Sequence, residues 1–218
     1  MTTATHILSD EWLVDYAAGT APEPVAVLVG SHLALSPLAR KAYACLQALG
    51  GTLLESIEPA VLKLGALDAV LGRLDAPAAT ATPPPGPRAD ADIVPTPLRG
   101  YLPRRFADIK WRRLASGIDQ HVIPCHDARG FRLSLMRVAP GRSVPQHTHR
   151  GSEVVLVLDG GYDDAFGHYG RGDVEVADAS IEHSPIADPG GDCIGLMIDQ
   201  GPVRLTGPLG RFINPLLR

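Results

Sequence analysis

Cysteine is scarce in this chain: Cys45, Cys125 and Cys193 are the three thiols among 218 residues, far apart and odd in number. That excludes a disulfide framework and fits a reducing compartment, for which the cytoplasm is the simplest choice. Aromatic residues make up only 5%, so the core has to be built from aliphatic side chains. Positive charge is not in excess: the net charge is −4, whereas nucleic acids and anionic membranes bind basic faces. No apolar run approaches the ~18–20 residues of a membrane span, and no basic-then-apolar leader opens the chain. The expected partner is a protein or a small molecule.

What is abundant changes along the chain. Residues 1–80 carry four basic and eight acidic side chains and are rich in Ala and Leu; residues 81–218 carry sixteen of each and are rich in Gly, Val, Ile and Asp. Between the two textures, residues 76–97 contain seven prolines and little apolar bulk, the composition of an extended, semi-rigid tether. The expectation is two modules: helical over 1–75, a Pro-rich linker over 76–103, and a second domain over 104–218.

Four helices are predicted in the first module. Ser9-Asp10-Glu11 opens the first and Gly19 closes it; Pro22-Glu23 opens the second, which Pro37 stops. Ser36-Pro37 caps a third that ends at Gly50-Gly51. A fourth starts near Ser56, with Ile57, Val61, Leu64, Leu67, Leu71 and Leu74 as a stripe at helical spacing, expected to be core. His6 reads as an incidental surface residue and His32 as a hydrogen-bonded core histidine.

After Arg104 the apolar period changes to two. Lys110–Leu114, Ile118–Ile123, Phe131–Val138, Val154–Leu158, Asp173–Ala177 and Cys193–Ile198 are short strand candidates between Gly, Pro and Asp turns, the pattern of a sandwich or small barrel. The basic residues around Trp111 read as a solvated edge strand. Cys125, His126 and His121 read as loop residues, Cys193 as a small buried hydrophobe, and Asp163, Asp164 and Asp173 as turn residues.

The stretch Gly141–Gly160 carries the chemistry. His147 and His149 are one residue apart, so on a strand they point to one face. Glu153 follows a His-Arg-Gly-Ser reversal that can carry it to a neighbouring strand, and His183 is a further ligand from later in the chain. Three imidazoles and a carboxylate suit Zn²⁺, Mn²⁺, Fe²⁺, Co²⁺ or Ni²⁺, and ligand identity alone does not choose among them.

The pattern Gly141-x5-His147-x-His149-x3-Glu153-x6-Gly160 resembles the first cupin motif without mismatch, and Gly172-Asp173 through His183 resembles a degenerate second one. The resemblance implies an all-β cupin (jelly-roll) barrel with His147, His149, Glu153 and His183 as ligands of one divalent metal ion, zinc before manganese, iron, nickel or cobalt. A helical module with His6 and His32, a Pro-rich tether and this barrel together are similar to ChrR-type anti-sigma factors along nearly the whole chain. That implies a protein partner, an extracytoplasmic-function sigma factor held by the helices, and a barrel that responds to oxidative stress or a ligand. It implies a sensor rather than an enzyme; a metal-dependent cupin enzyme of dioxygenase or isomerase type is the alternative. Pairing of two copies is compatible with the fold. One departure stands out: Ser36 and Ala39 occupy the places of the family's zinc cysteines, so one ion per chain is expected.

Overall fold

The period-two part of the chain folds into the expected antiparallel barrel in a computed structural model that describes residues 4–74, 90 and 93–206. The large layer is ordered β1 (Arg112–Ala115), β2 (Ile118–Ile123), β3 (Arg132–Val138), β10 (Cys193–Asp199), β5 (Glu153–Asp159), β8 (Val174–Ala177). Facing it are β7 (Gly167–Gly170), β6 (Gly161–Asp164) and β9 (Ile186–Ala187) in one sheet, and β11 (Val203–Leu205) with β4 (His147–His149) in a ribbon. Of these facing strands only β4 was expected, from the His147–His149 spacing. At two to four residues each they are too short to display a period. Asp163 and Asp164, expected in turns, lie in β6.

The central strands bury both faces. All seven residues of β10 are buried: Cys193, Gly195, Met197 and Asp199 line the barrel interior, and the alternate Ile194, Leu196 and Ile198 join a core shared with the helices. That core runs from Leu13, Val25 and Leu28 to Leu135 and Leu156 of the large sheet. Each such side chain contributes about 1.5–3 kcal/mol when fully buried, so the helical module is fastened to the barrel by apolar packing.

The helices are α1 (Asp10–Ala17), α2 (Glu23–Leu35), α3 (Pro37–Glu55) and α4 (Ala66–Leu74). α1 and α2 match expectation, and Ser36 Oγ accepts from Ala39 N at 3.2 Å as the cap of α3. Two expectations fail. α3 passes through Gly50-Gly51, neither of which takes a positive φ, and ends at Glu55, shortly before Pro59. The fourth helix begins at Ala66 rather than Ser56, and the stripe is not core: Leu64 is 100% exposed, Leu67 66% and Leu71 49%. Among the described residues no helix is long and apolar enough to cross a membrane.

Much of the predicted tether lies outside the described residues. Its last part is packed rather than extended: a 3₁₀ turn over Thr96–Tyr101 lies against α2, with Val94 and Leu98 fully buried. Apolar Val94, Leu98 and Leu102, four residues apart, give this segment the bulk that the prolines before it lack.

Gly172 and Asp173, read from sequence as the opening of a strand, form the junction between the modules. The Asp173 carboxylate accepts from the backbone N–H groups of Thr5 (2.6 Å), His6 (2.8 Å) and Gly170 (2.9 Å), and Val174 N donates to His6 O at 3.1 Å. His6 is thus not incidental; its ring also packs on Tyr169, 4.7 Å between centroids. His32, fully buried as expected, donates from Nδ1 to Gly172 O at 3.1 Å. Gly172 has φ +91, and a Cβ there would sit 3.2 Å from Ala4 Cβ, so a side chain at this point would push the N-terminal segment away from the barrel.

Burial lowers the His32 pKa to about 4, against smaller raising effects of the Gly172 hydrogen bond and the Asp173 charge. Between pH 6.5 and about 4 the unfolded chain therefore binds a proton at this site that the folded chain excludes. The stability His32 supports is fully present above its unfolded pKa and is lost as pH falls through that window, by about 3 kcal/mol in all. Urea unfolding across pH 4–7 is expected to show this slope, and His32→Leu to flatten it.

Candidate metal centre

β4 delivers two ligands by its pleat: His147 and His149 are buried while Thr148 between them is half-exposed. The reversal after His149 depends on Gly151, where a Cβ would run into the carbonyl oxygen of Gln200. It returns the chain as β5, whose first residue is Glu153. His183 lies outside the named strands but bridges to β4: His147 N donates to His183 O at 3.0 Å and His183 N to His147 O at 3.1 Å. The four sequence-predicted residues thus come together, with one donor atom from each within 4.8 Å of all the others.

The tautomers follow from the hydrogen bonds. His147 Nδ1 donates to Pro145 O at 2.7 Å and His183 Nδ1 to Glu175 Oε1 at 2.9 Å, which turns both Nε2 atoms toward the centre. His147 Nε2 and His183 Nε2 are 3.1 Å apart, His149 Nε2 and His183 Nε2 3.2 Å, and His149 Nε2 and Glu153 Oε1 3.5 Å. Ligand atoms bound at ~2.1 Å to one ion lie about 3.0 Å apart at right angles and about 3.4 Å apart at the tetrahedral angle. These two imidazole spacings fall in that range and the His149–Glu153 distance lies just beyond it, a spacing that suits a divalent ion.

The electrostatics agree. Burial pulls His149 down to about 4 and lowers His147, so both are neutral imidazoles with a free lone pair at neutral pH. Burial lifts Glu153 to about 8, the mark of a carboxylate that lacks a compensating charge. Burial alone would lower His183, but the Glu175 hydrogen bond together with the charges of Glu175, Glu153 and Asp164 outweighs it and raises the pKa. A positive charge belongs among these groups, and a bound divalent ion would supply it.

A second layer escaped the sequence reading. Glu175 on β8 accepts from His183 and, at 2.6 Å, from Tyr162 Oη. Asp164 Oδ1 accepts from Phe166 N and Gly167 N, while its buried Oδ2 lies 3.5 Å from His183 Nδ1. The available signal was a charged residue alternating with valines in Val174-Glu175-Val176, a strand that faces a polar interior at that one position.

The site opens into the barrel cavity, about 850 Å³ in volume and lined mostly by apolar side chains. His6 and His32 stand at the module junction, engaged with Asp173 and Gly172. Cys193 is buried, and burial pushes its thiol up to about 12, which makes it an unreactive apolar residue.

Residues 103–204 match the family described as the ChrR cupin-like domain. The chain is 38% identical over 216 residues, 99% of each protein, to the anti-sigma-E factor ChrR of Cereibacter sphaeroides. It is similar, with TM-score 0.75 and 36% identity over 91% of this chain and 100% of the other, to a chain of the crystal structure of Rhodobacter sphaeroides SigE in complex with the anti-sigma ChrR.

Proposed function

The chain belongs to the ChrR family of anti-sigma factors, and on that premise we propose that it is a cytoplasmic regulator whose helical module holds an extracytoplasmic-function sigma factor. The observation that carries this reading is the apolar surface of the end of α3, the segment after it and α4. Leu49, Leu53, Leu54, Ile57, Val61 and Leu64 are each 58–100% exposed, and α4 adds four more large apolar residues. So many exposed large apolar side chains in one segment mark a protein interface. The acidic balance of residues 1–80 suits a partner whose working surface binds DNA. Co-expression with an extracytoplasmic-function sigma factor of the same organism, a neighbouring gene's product being tried first, is expected to yield a one-to-one complex on size exclusion; folded proteins that all elute separately would refute the reading.

The barrel is the responsive module in this proposal, answering oxidative stress or a ligand. His147, His149, Glu153 and His183 would hold one divalent ion, zinc first, for which three nitrogens and one oxygen are a suitable set. Elemental analysis is expected to find one ion per chain; a second ion lost on His32→Ala would show otherwise. Glu175 holds the imidazole of His183 in place, and Glu175→Gln is expected to weaken metal binding by roughly 10- to 100-fold. Competition with a chromophoric chelator measures this, and an unchanged affinity would remove Glu175 from the site.

A further inference from the structure

We infer that the barrel cavity is a binding site for a linear amphipathic carboxylate, its head on Arg112 and its apolar chain directed toward the His147–His183 cluster. The inference rests on the reading of the barrel as the responsive module and adds the class of molecule it answers to.

Strand register places the polar ends of the site. Arg112 pairs with Gln120, Gln120 with Met136, and Met136 with Gly195, so these four form one row across the inner face of the large sheet, and all line the cavity. Arg132, Asp199 and Glu153 form another inward row, four residues further along β10. Four residues of strand span about 13 Å, close to the length of a ten-carbon acid. Between the rows Met197 and Val155 lie opposite each other and present an apolar wall to the cavity, with Glu175 beside Val155 at the end that holds the histidines. Met136 and Val155, although on central strands, stay half-exposed because they face the cavity.

Charge selects the head group. The guanidinium of Arg132 is already matched by the buried Asp199 carboxylate, at 3.1 and 2.9 Å. Among the described residues Arg112 has no carboxylate partner: it donates to the amide oxygen of Gln120 at 3.2 Å, and Gln120 is itself held by a bond from Nε2 to Ser134 Oγ at 3.3 Å. A cation steadied by a neutral acceptor at one end of an apolar cavity is suited to an anion with an apolar body. A cavity of about 850 Å³ is ample for such a molecule.

The test is calorimetric titration of the full-length, metal-loaded protein with decanoate, decanol and propanoate. Decanoate is expected to bind at one site per chain, with decanol and propanoate each at least tenfold weaker. Arg112 is exposed, so Arg112→Gln should fold, as circular dichroism will verify; it is expected to lose roughly 10- to 100-fold in decanoate affinity, and Arg112→Lys to retain most of it. Equal binding of decanol, or an Arg112→Gln protein that binds decanoate like the parent, overturns the head-group assignment. No binding of decanoate to a protein with its ion in place overturns the inference as a whole. Metal content and co-elution with the sigma factor, measured on the same preparation, report on the functional proposal separately.

Discussion

Substitution of His183 by alanine is expected to abolish metal binding: content falls from one ion per chain to a trace, and unfolding becomes insensitive to EDTA. His183 is the hinge of the centre. Its Nε2 is within 3.2 Å of both other imidazole nitrogens, and its Nδ1 connects the centre to Glu175. Loss of an outer-shell partner costs about 10–100-fold in metal affinity, so loss of a ligand that carries the outer shell with it should cost more. The fold should also weaken. An ion at roughly 1,000 times its Kd stabilises the native state by about 4 kcal/mol, and without it the buried Glu153 carboxyl has no cation to face. Thermal unfolding of parent and variant, each with and without EDTA, separates the effects: EDTA should lower the parent's midpoint toward that of the variant and leave the variant unchanged. A variant that keeps one tightly bound ion would show that the four-ligand site is wrong.

The double substitution Leu67→Glu, Leu71→Glu is expected to abolish the sigma complex and leave the fold intact. The two residues are four apart on α4, hence on one face, and they are 66% and 49% exposed. No buried contact is lost in the free protein, so the thermal midpoint should hardly move. At an interface the same leucines would be buried, and charged replacements at anchoring positions cost about 2 kcal/mol or more each, together roughly a thousandfold in affinity. Titration calorimetry against the sigma factor measures the loss. A double variant that binds as tightly as the parent would place the docking face elsewhere on the helical module.

The difference between α2 and α4 shows what pattern reading can and cannot do. Both present apolar residues at helical spacing. In α2, Val25, Leu28 and Val29 are buried, because the outer face of the large sheet lies against them. In α4 no residue is buried, because no described residue of the chain covers it. Periodicity identifies an apolar face but not its cover, so the same signal produced one correct and one incorrect core assignment. The unbroken apolar runs of β5 and β10 did carry a hint: strands buried on both faces lose alternation, and it is the helices that close the second face.

The candidate site was legible to an unusual degree because three of its four residues are local in origin. His147 and His149 share a face through the two-residue period of a strand, and the turn at Gly151 sets where Glu153 falls. The outer shell was not legible. Tyr162, Asp164 and Glu175 come from β6 and β8, in different sheets, and they meet at His183 only because the barrel closes.

The sequence alone determined the two textures of the chain, the all-β barrel after a helical start, the metal-ligand pattern and the family, since these depend on composition, period and spacing along the backbone. Tertiary structure alone decided which apolar faces are covered, that residues 93–102 pack instead of extending, and that Gly172 and Asp173 fasten the helices to the barrel. Those outcomes depend on contacts between residues such as His32 and Gly172, 140 positions apart, whose energies no local pattern encodes.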